Sequence, residues 1–408
     1  MKPLNGTTST KSWLQKVSAS VAFPLTVFAM LFALGCKTVV DRQDVKPKVL
    51  RDVPARNLAY RLTPDVSPPP TDVDDTSEKF PAVANAFAGK RKDDALLRTV
   101  VSPDRRRVLA LYGAADDTGS TFRIDIYSSD GEFLRNMIPP DLACVFPETV
   151  SWSPDGSFIN FIAHRRVMPS PTPRPEIPEP EPEASPTASP TVAPLFAPVA
   201  SYNTEQIYIS NRDGYDLKPL TAREGLIYFY FVWAPDGRAL AALACKEDEW
   251  NVRERQGKLP AGRPRLITPG GNERLLDDGL TEALPVWSPD AAKIATAFET
   301  DVAIYDAGGK TPTQARLPLG EQLLTASVAY DQKTTTKKAN NNANSGTHAV
   351  SSTPTVPASF NPIVRLDWRS PEMLYIQTAY VRLMSNETIN TFQRWHQLNI
   401  SAQAAVLK

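Results

Sequence analysis

Histidine is scarce in this chain, with three in 408 residues, and no pair among His164, His348 and His396 has ligand spacing. Without a Cys-x-x-Cys either, a preformed metal site is not written into the sequence, and no cofactor is expected. The three cysteines are Cys36, Cys144 and Cys245. Long hydrophobic runs are also missing: the longest, Val21 to Leu34, would span only ~21 Å as a helix, against a hydrocarbon core of ~30 Å. Net charge is zero, from 45 basic and 45 acidic side chains, which removes the electrostatic case for a nucleic-acid partner. No Gly-x-Ser-x-Gly elbow occurs, so nothing marks a serine hydrolase half.

What the chain has in excess is proline, and one proline-bearing turn that returns. The stretch Trp152-Ser153-Pro154-Asp155-Gly156 joins two apolar segments. Pro154 presets φ at the first corner of a type I turn, Asp155 suits the second, and Gly156 eases the exit, so the spacing predicts a tight hairpin. Copies stand at Ser102-Pro103-Asp104, Trp233-Ala234-Pro235-Asp236-Gly237, Trp287-Ser288-Pro289-Asp290 and, more weakly, Trp368-Arg369-Ser370-Pro371-Glu372. Each is followed by a run apolar enough for a strand covered on both faces. Most then reach a second turn, at Asp130-Gly131, Asp213-Gly214 and Gly308-Gly309, which makes four strands to a unit. A sheet of that kind is stable only when neighbours cover it, so the expectation is an all-β propeller of four-stranded antiparallel blades.

The Trp-Ser-Pro-Asp-Gly turn, followed by an apolar strand and then a strand ending in Asp-Gly, resembles the Pro-Asp subclass of WD-like repeats found in TolB-like proteins. The resemblance implies a propeller over residues 96–408. It implies little about activity, because the repeat serves many functions.

Residues 1–35 read as a signal peptide, with Lys2, Lys11 and Lys16 ahead of the apolar run. Ala33-Leu34-Gly35-Cys36 resembles the lipobox of bacterial lipoproteins, which implies a lipid on Cys36 and export of the rest. Lys37 stands where the family's inner-membrane retention signal has Asp, which points to the outer membrane, facing the periplasm. Residues 36–95 are polar and breaker-rich, with Pro68-Pro69-Pro70, and read as a tether; Asn57 to Leu62 is the one stretch in it that reads as a strand able to dock on the propeller. Two insertions, at about 169–203 (Pro alternating with Ser, Thr and Glu) and 331–360 (Thr, Asn and Ser), lack the apolar content to pack. Allowing for them, six blades are favoured, with Thr325 to Asp331 as a degenerate sixth turn, and five are the alternative.

The recurrent residues are assigned structural roles. These are Pro103 and Asp104; Trp152, Pro154, Asp155 and Gly156; Trp233, Pro235, Asp236 and Gly237; Trp287, Pro289 and Asp290; Trp368 and Pro371. Every blade needs the same turn, whereas a catalytic pair needs two unlike environments. Cys144 and Cys245 are expected to be separate buried thiols rather than a disulfide. The sequence therefore points to a non-catalytic, lipid-anchored binding module for a protein or other envelope component, of open oligomeric state. The alternative is a propeller lyase or hydrolase acting on a glycan or peptide in the central channel, with His164 or His396 beside carboxylates there.

Overall fold

The computed structural model describes residues 49–70, 79–114, 121–166, 199–330, 359–383 and 389–402. The signal peptide, Cys36, His348 and most of both insertions lie outside these residues.

The protein is an all-β propeller. Its described residues form five antiparallel sheets, three of four strands and two of five. Blade 1 comprises Asp94–Val101, Arg107–Ala114, Arg123–Ser128 and Phe133–Asn136 from the channel outward. In blade 2, Leu142–Val145 and Ser151–Trp152 share the inner edge of Phe158–Arg165, with Gln206–Asn211 and Lys218–Pro219 outside. Blade 3 is Leu226–Trp233, Leu240–Lys246, Arg263–Ile267 and Glu273–Leu275, and blade 4 is Val286–Trp287, Lys293–Phe298, Asp301–Asp306 and Gln314–Pro318.

Blade 5 is built from both ends of the chain. Ile363–Ser370, Met373–Leu383 and Ile389–Ala402 are joined by Leu58–Val66 as the outermost strand, paired from Leu58 with Ala402 to Val66 with Trp395. The segment read as a tether thus supplies a strand, at the stretch from Asn57 to Leu62 that reads as one able to dock. It also supplies helix α1, Pro81–Lys90. Its polar composition misleads because an outermost strand buries only one side: Leu58 is buried while Arg61 and Thr63 stay exposed.

Hydrophobic clusters join consecutive blades. Leu109, Leu111 and Ile124 of blade 1 meet Ile159 and Phe161 of blade 2. Ile162 and Ile207 meet Tyr228 and Leu240, Ala241 and Leu266 meet Ile294 and Tyr305, and Ala295 and Ile304 meet Leu366 and Ile376. On its other face blade 1 is covered by α1, whose Val83 and Phe87 pack on Val108, Ala110 and Tyr112. The stretch on which a sixth blade would begin is different: residues 320–330 form a helix, α3, burying Leu323 and Ala326 against blades 4 and 5. Its Ala- and Leu-rich sequence follows the helical period, which outweighs its likeness to a turn.

Candidate binding faces and the repeat turns

The turns show why their residues recur. In blade 2, Gly156 N–H donates to Ser153 O at 2.8 Å and closes the turn. Ser153 Oγ accepts the Phe158 N–H at 2.9 Å, and Asp155 accepts the Ser157 N–H at 3.0 Å. The serine hydroxyl in turn donates to the turn carboxylate, from Ser153 to Asp155, from Ser102 to Asp104 (2.7 Å) and from Ser288 to Asp290 (2.6 Å). The Ser102 hydroxyl, the Arg106 N–H and nearby Arg212 hold Asp104 down at about 2. Every turn carboxylate thus has a partner within its own loop; in blade 5 Glu372 faces Ser370 at 3.3 Å. The glycine position matters because it is left-handed: Gly156 and Gly237 have φ near +70°. Arg105 and Ala291 occupy it in blades 1 and 4, with φ +57° and +59°.

The tryptophans tie blades together. Trp152 Nε1 donates to Val100 O at 3.1 Å and Trp287 Nε1 to Val232 O at 3.2 Å, each reaching back to the inner strand of the preceding blade. Trp233 and Trp368 pack in the same way, but their buried N–H groups lack a hydrogen-bond partner among the described residues.

Buried and half-buried carboxylates form a second recurrent pattern that the sequence did not announce. Tyr112 donates to Asp125 at 3.2 Å, Tyr228 to Glu273 at 2.9 Å, and Tyr305 to Asp277 at 3.0 Å. An arginine closes each group: Arg91 on Asp125 (2.8 Å), Arg223 on Glu273 (2.6 Å) with Arg265 beside it, and Arg316 on Asp277 (2.8 Å). Burial alone would raise the Glu273 carboxyl, but the bonds from Arg265, Arg223 and Tyr228 bring it below its ordinary value. Buried charge is tolerated where it is paired and hydrogen-bonded in this way.

The histidines and thiols fall in unlike places. His164 Nδ1 lies 3.3 Å from the Glu205 carboxylate, both partly exposed at one end of blade 2. His396 is buried in blade 5, where its Nδ1 accepts the Asp65 N–H at 3.3 Å and its Nε2 lies 3.1 Å from Thr378 Oγ1. Cys144 and Cys245 are separate, free and buried; burial pushes the Cys245 thiol up to about 12 and Cys144 further. Among the described residues no three His, Cys, Asp or Glu side chains gather where they could hold a metal ion.

Topology gives the ring two unlike faces. In an antiparallel blade the first and third connections leave from one end, and the second connection and the link to the next blade leave from the other. The first face carries the Pro-Asp turns and the short Gly turns. The second carries the longer described connections, among them residues 247–262, 276–285 and 319–330. Helix α2, Glu247–Arg255, lies in one of them. Its first turn is acidic and its last basic, as the helix dipole favours. Trp250 packs on Phe146 and Phe229, with centroids 5.9 and 5.6 Å away, and Arg263 grips Glu249 through two bonds of 2.7 and 2.8 Å.

This insertion face displays aliphatic side chains. Val252, Leu259, Leu280, Leu284, Leu324 and Val328 are all exposed there, Leu259 to 69%. Leu324 and Val328, four apart on α3, form an outward stripe.

Neither a protein-family profile nor a curated protein sequence matches the chain. Among solved structures it is similar to prolyl oligopeptidase B from Galerina marginata bound to a 25mer macrocyclization substrate, at 8% identity and a TM-score of 0.40. That match covers 83% of this chain and 41% of the peptidase. It is also similar to Porphyromonas gingivalis dipeptidyl peptidase 4, at 10% identity and a TM-score of 0.37, over 72% of this chain and 38% of the other. A nidogen/laminin complex matches at 10% identity and a TM-score of 0.30, over 75% and 84%. The chain thus spans about two fifths of the peptidases it matches.

Proposed function

We propose that this protein is a lipid-anchored, extracytoplasmic β-propeller that binds a protein partner of the cell envelope and does not itself catalyse a reaction. The reading of the fold as TolB-like, and of residues 1–36 as signal and anchor on the outer membrane, belongs to this proposal. The observation that carries it is the concentration of exposed aliphatic side chains on the insertion face, around a ring whose recurrent carboxylates are committed to structure. Exposed aliphatic side chains on one face of a folded domain are candidate contacts for another protein.

The test is photo-cross-linking in intact cells, with a benzophenone amino acid placed at Leu259 or Leu284, or at Tyr215 on the opposite face. A recurrent protein captured from the first two positions and not from the third supports the reading; capture from Tyr215 alone overturns the choice of face. In the same cells Cys36→Ala should move the protein to the soluble fraction, and unchanged membrane association would refute the lipid anchor.

A propeller hydrolase or lyase is the second reading, favoured by His164 beside Glu205. It requires that His164→Ala abolish turnover of a glycan or peptide while leaving the cross-link intact.

A further inference from the structure

On the tight-turn face, the first turn of blade 1 meets the second Gly turn of blade 2, and the side chains at the matching places of the next blades can be compared position by position. Between blades 1 and 2 the junction is clasped by charge: Arg212 binds Asp104 at 2.7 Å and Arg107 binds Asp213. Between blades 2 and 3 the place of Arg107 is taken by Phe158, packed on the hydrophobic cluster of that junction. In blade 4 it is Lys293, bonded to Asp306 at 2.8 Å and to Val53 O at 2.6 Å. Between blades 3 and 4 both sides are small: Ala239 stands for Arg107, and Ala307 and Gly308 stand for Arg212 and Asp213. The clasp is missing there, and a cleft of about 580 Å³ opens.

The cleft has the character of a site rather than a packing fault. Its floor is apolar, from Ala234, Leu266 and Trp287, all buried. Its outer wall is the segment 51–54, held in place because Ala55 N–H donates to Asp306 at 3.0 Å and Lys293 binds Val53 O. Arg51, Arg238 and Lys310 stand on the rim with two carboxylates, Asp52 and Asp236. Asp236 accepts its own loop's Arg238 N–H at 3.1 Å and pairs with the Arg238 guanidinium at 3.7 Å, and the deeper Asp306 is occupied by Lys293 and Thr313, which leaves Arg51 and Lys310 against Asp52. An apolar floor of this size with a few polar groups at its edge is what ligand pockets share, and the excess of cations selects negative charge around the buried group.

We propose that the blade 3–4 cleft binds a short peptide segment that presents one aromatic or aliphatic side chain flanked by carboxylates. The site lies on the face opposite the insertions and stands or falls independently of them.

The alanines lining the cleft make the test direct. In protein carrying ¹³C-methyl alanine, titration with the peptide Ac-Asp-Phe-Asp-NH₂ should shift the Ala239, Ala292 and Ala307 methyl signals saturably. Ac-Lys-Phe-Lys-NH₂ should bind at least tenfold more weakly. Ala239→Phe copies Phe158 at the neighbouring junction, so it should fold with an unchanged or higher melting temperature and lose the response. The exposed pair Arg238→Glu and Lys310→Glu should weaken the acidic peptide at least tenfold without filling the cleft. No saturable shift at millimolar peptide, an equal response in folded Ala239→Phe, or equal affinity for the lysine peptide would each overturn the proposal.

Discussion

Acidification should loosen blade 5 through His396. The imidazole is 1% exposed, and its Nδ1 accepts the Asp65 N–H, so Nε2 carries the proton that points to Thr378. Protonating Nδ1 breaks the bond to Asp65. Burial first, and the Arg394 guanidinium second, lower the pKa from 6.5 to about 4, against a smaller opposing pull from Asp65. With the folded value depressed, the unfolded chain takes up a proton that the folded one refuses. Stability is therefore complete above pH 6.5 and drains as pH falls towards 4. At ~1.36 kcal/mol per pH unit the full loss is about 3 kcal/mol, of which about 2.5 kcal/mol is gone by pH 4.5. Carboxylates with lowered values, such as Glu273 and Asp306, contribute stability that is lost below this window. Urea unfolding at pH 7.5, 5.5 and 4.5 reads the effect, with His396→Gln as the control that cannot titrate. The variant's curve should be flatter by about 2.5 kcal/mol over that range. Parallel pH dependences in the two proteins would refute the buried neutral imidazole.

The repeat turns give further expectations. Arg105→Gly and Ala291→Gly should each stabilise by about 1 kcal/mol in urea unfolding, because both residues hold a left-handed φ that costs a non-glycine residue ~1–2 kcal/mol. Gly156→Ala should destabilise by a similar amount, its Cβ meeting Pro103 Cδ at 3.4 Å; neutral outcomes at all three sites would dismiss backbone strain as the reason glycine recurs. Trp152→Phe and Trp287→Phe should cost about 1 kcal/mol more than Trp233→Phe, since only the first two lose an interblade hydrogen bond. Equal losses in denaturant midpoints would mean that ring packing alone accounts for the tryptophans.

Much of the ring was legible because a turn is a local object. Ser153, Asp155 and Gly156 form their hydrogen bonds within five residues, so the sequence contains the whole of the interaction, and copies of it locate four of the inner hairpins. The outermost strand of blade 5 was only half legible, because Leu58–Val66 has meaning only beside a partner more than 300 residues away. The polar core was not legible at all. Asp65 and Arg394 bind through two bonds of 2.7 Å across the chain's whole length, and nothing near either residue marks it as one half of a pair. Helix α3 was mistaken for a turn because seven residues resembling a motif weigh more to the eye than the eleven-residue helical period that contains them.

The blade 3–4 cleft shows where function hides in a repeat. A residue that matches its counterparts in other blades is explained by the blade, and Asp236 and Trp233 are of that kind. A position where one blade departs from the rest is explained by something the blade does not require. Ala239, Ala307 and Gly308 are unremarkable residues in isolation, and no motif search singles out alanine. They acquire meaning only against Arg107, Phe158 and Lys293 on one side and Arg212 and Asp213 on the other. Ring stability would favour filling that junction, since a side chain there would take apolar surface out of water. That this junction stays open on both sides, unlike the two before it, with its wall pinned by Lys293 and Asp306, is the reason to expect an occupant there. Ala239→Phe is accordingly the decisive substitution: a closed cleft should raise the melting temperature and abolish peptide binding together, and a variant that gains stability while binding unchanged would separate the void from the function.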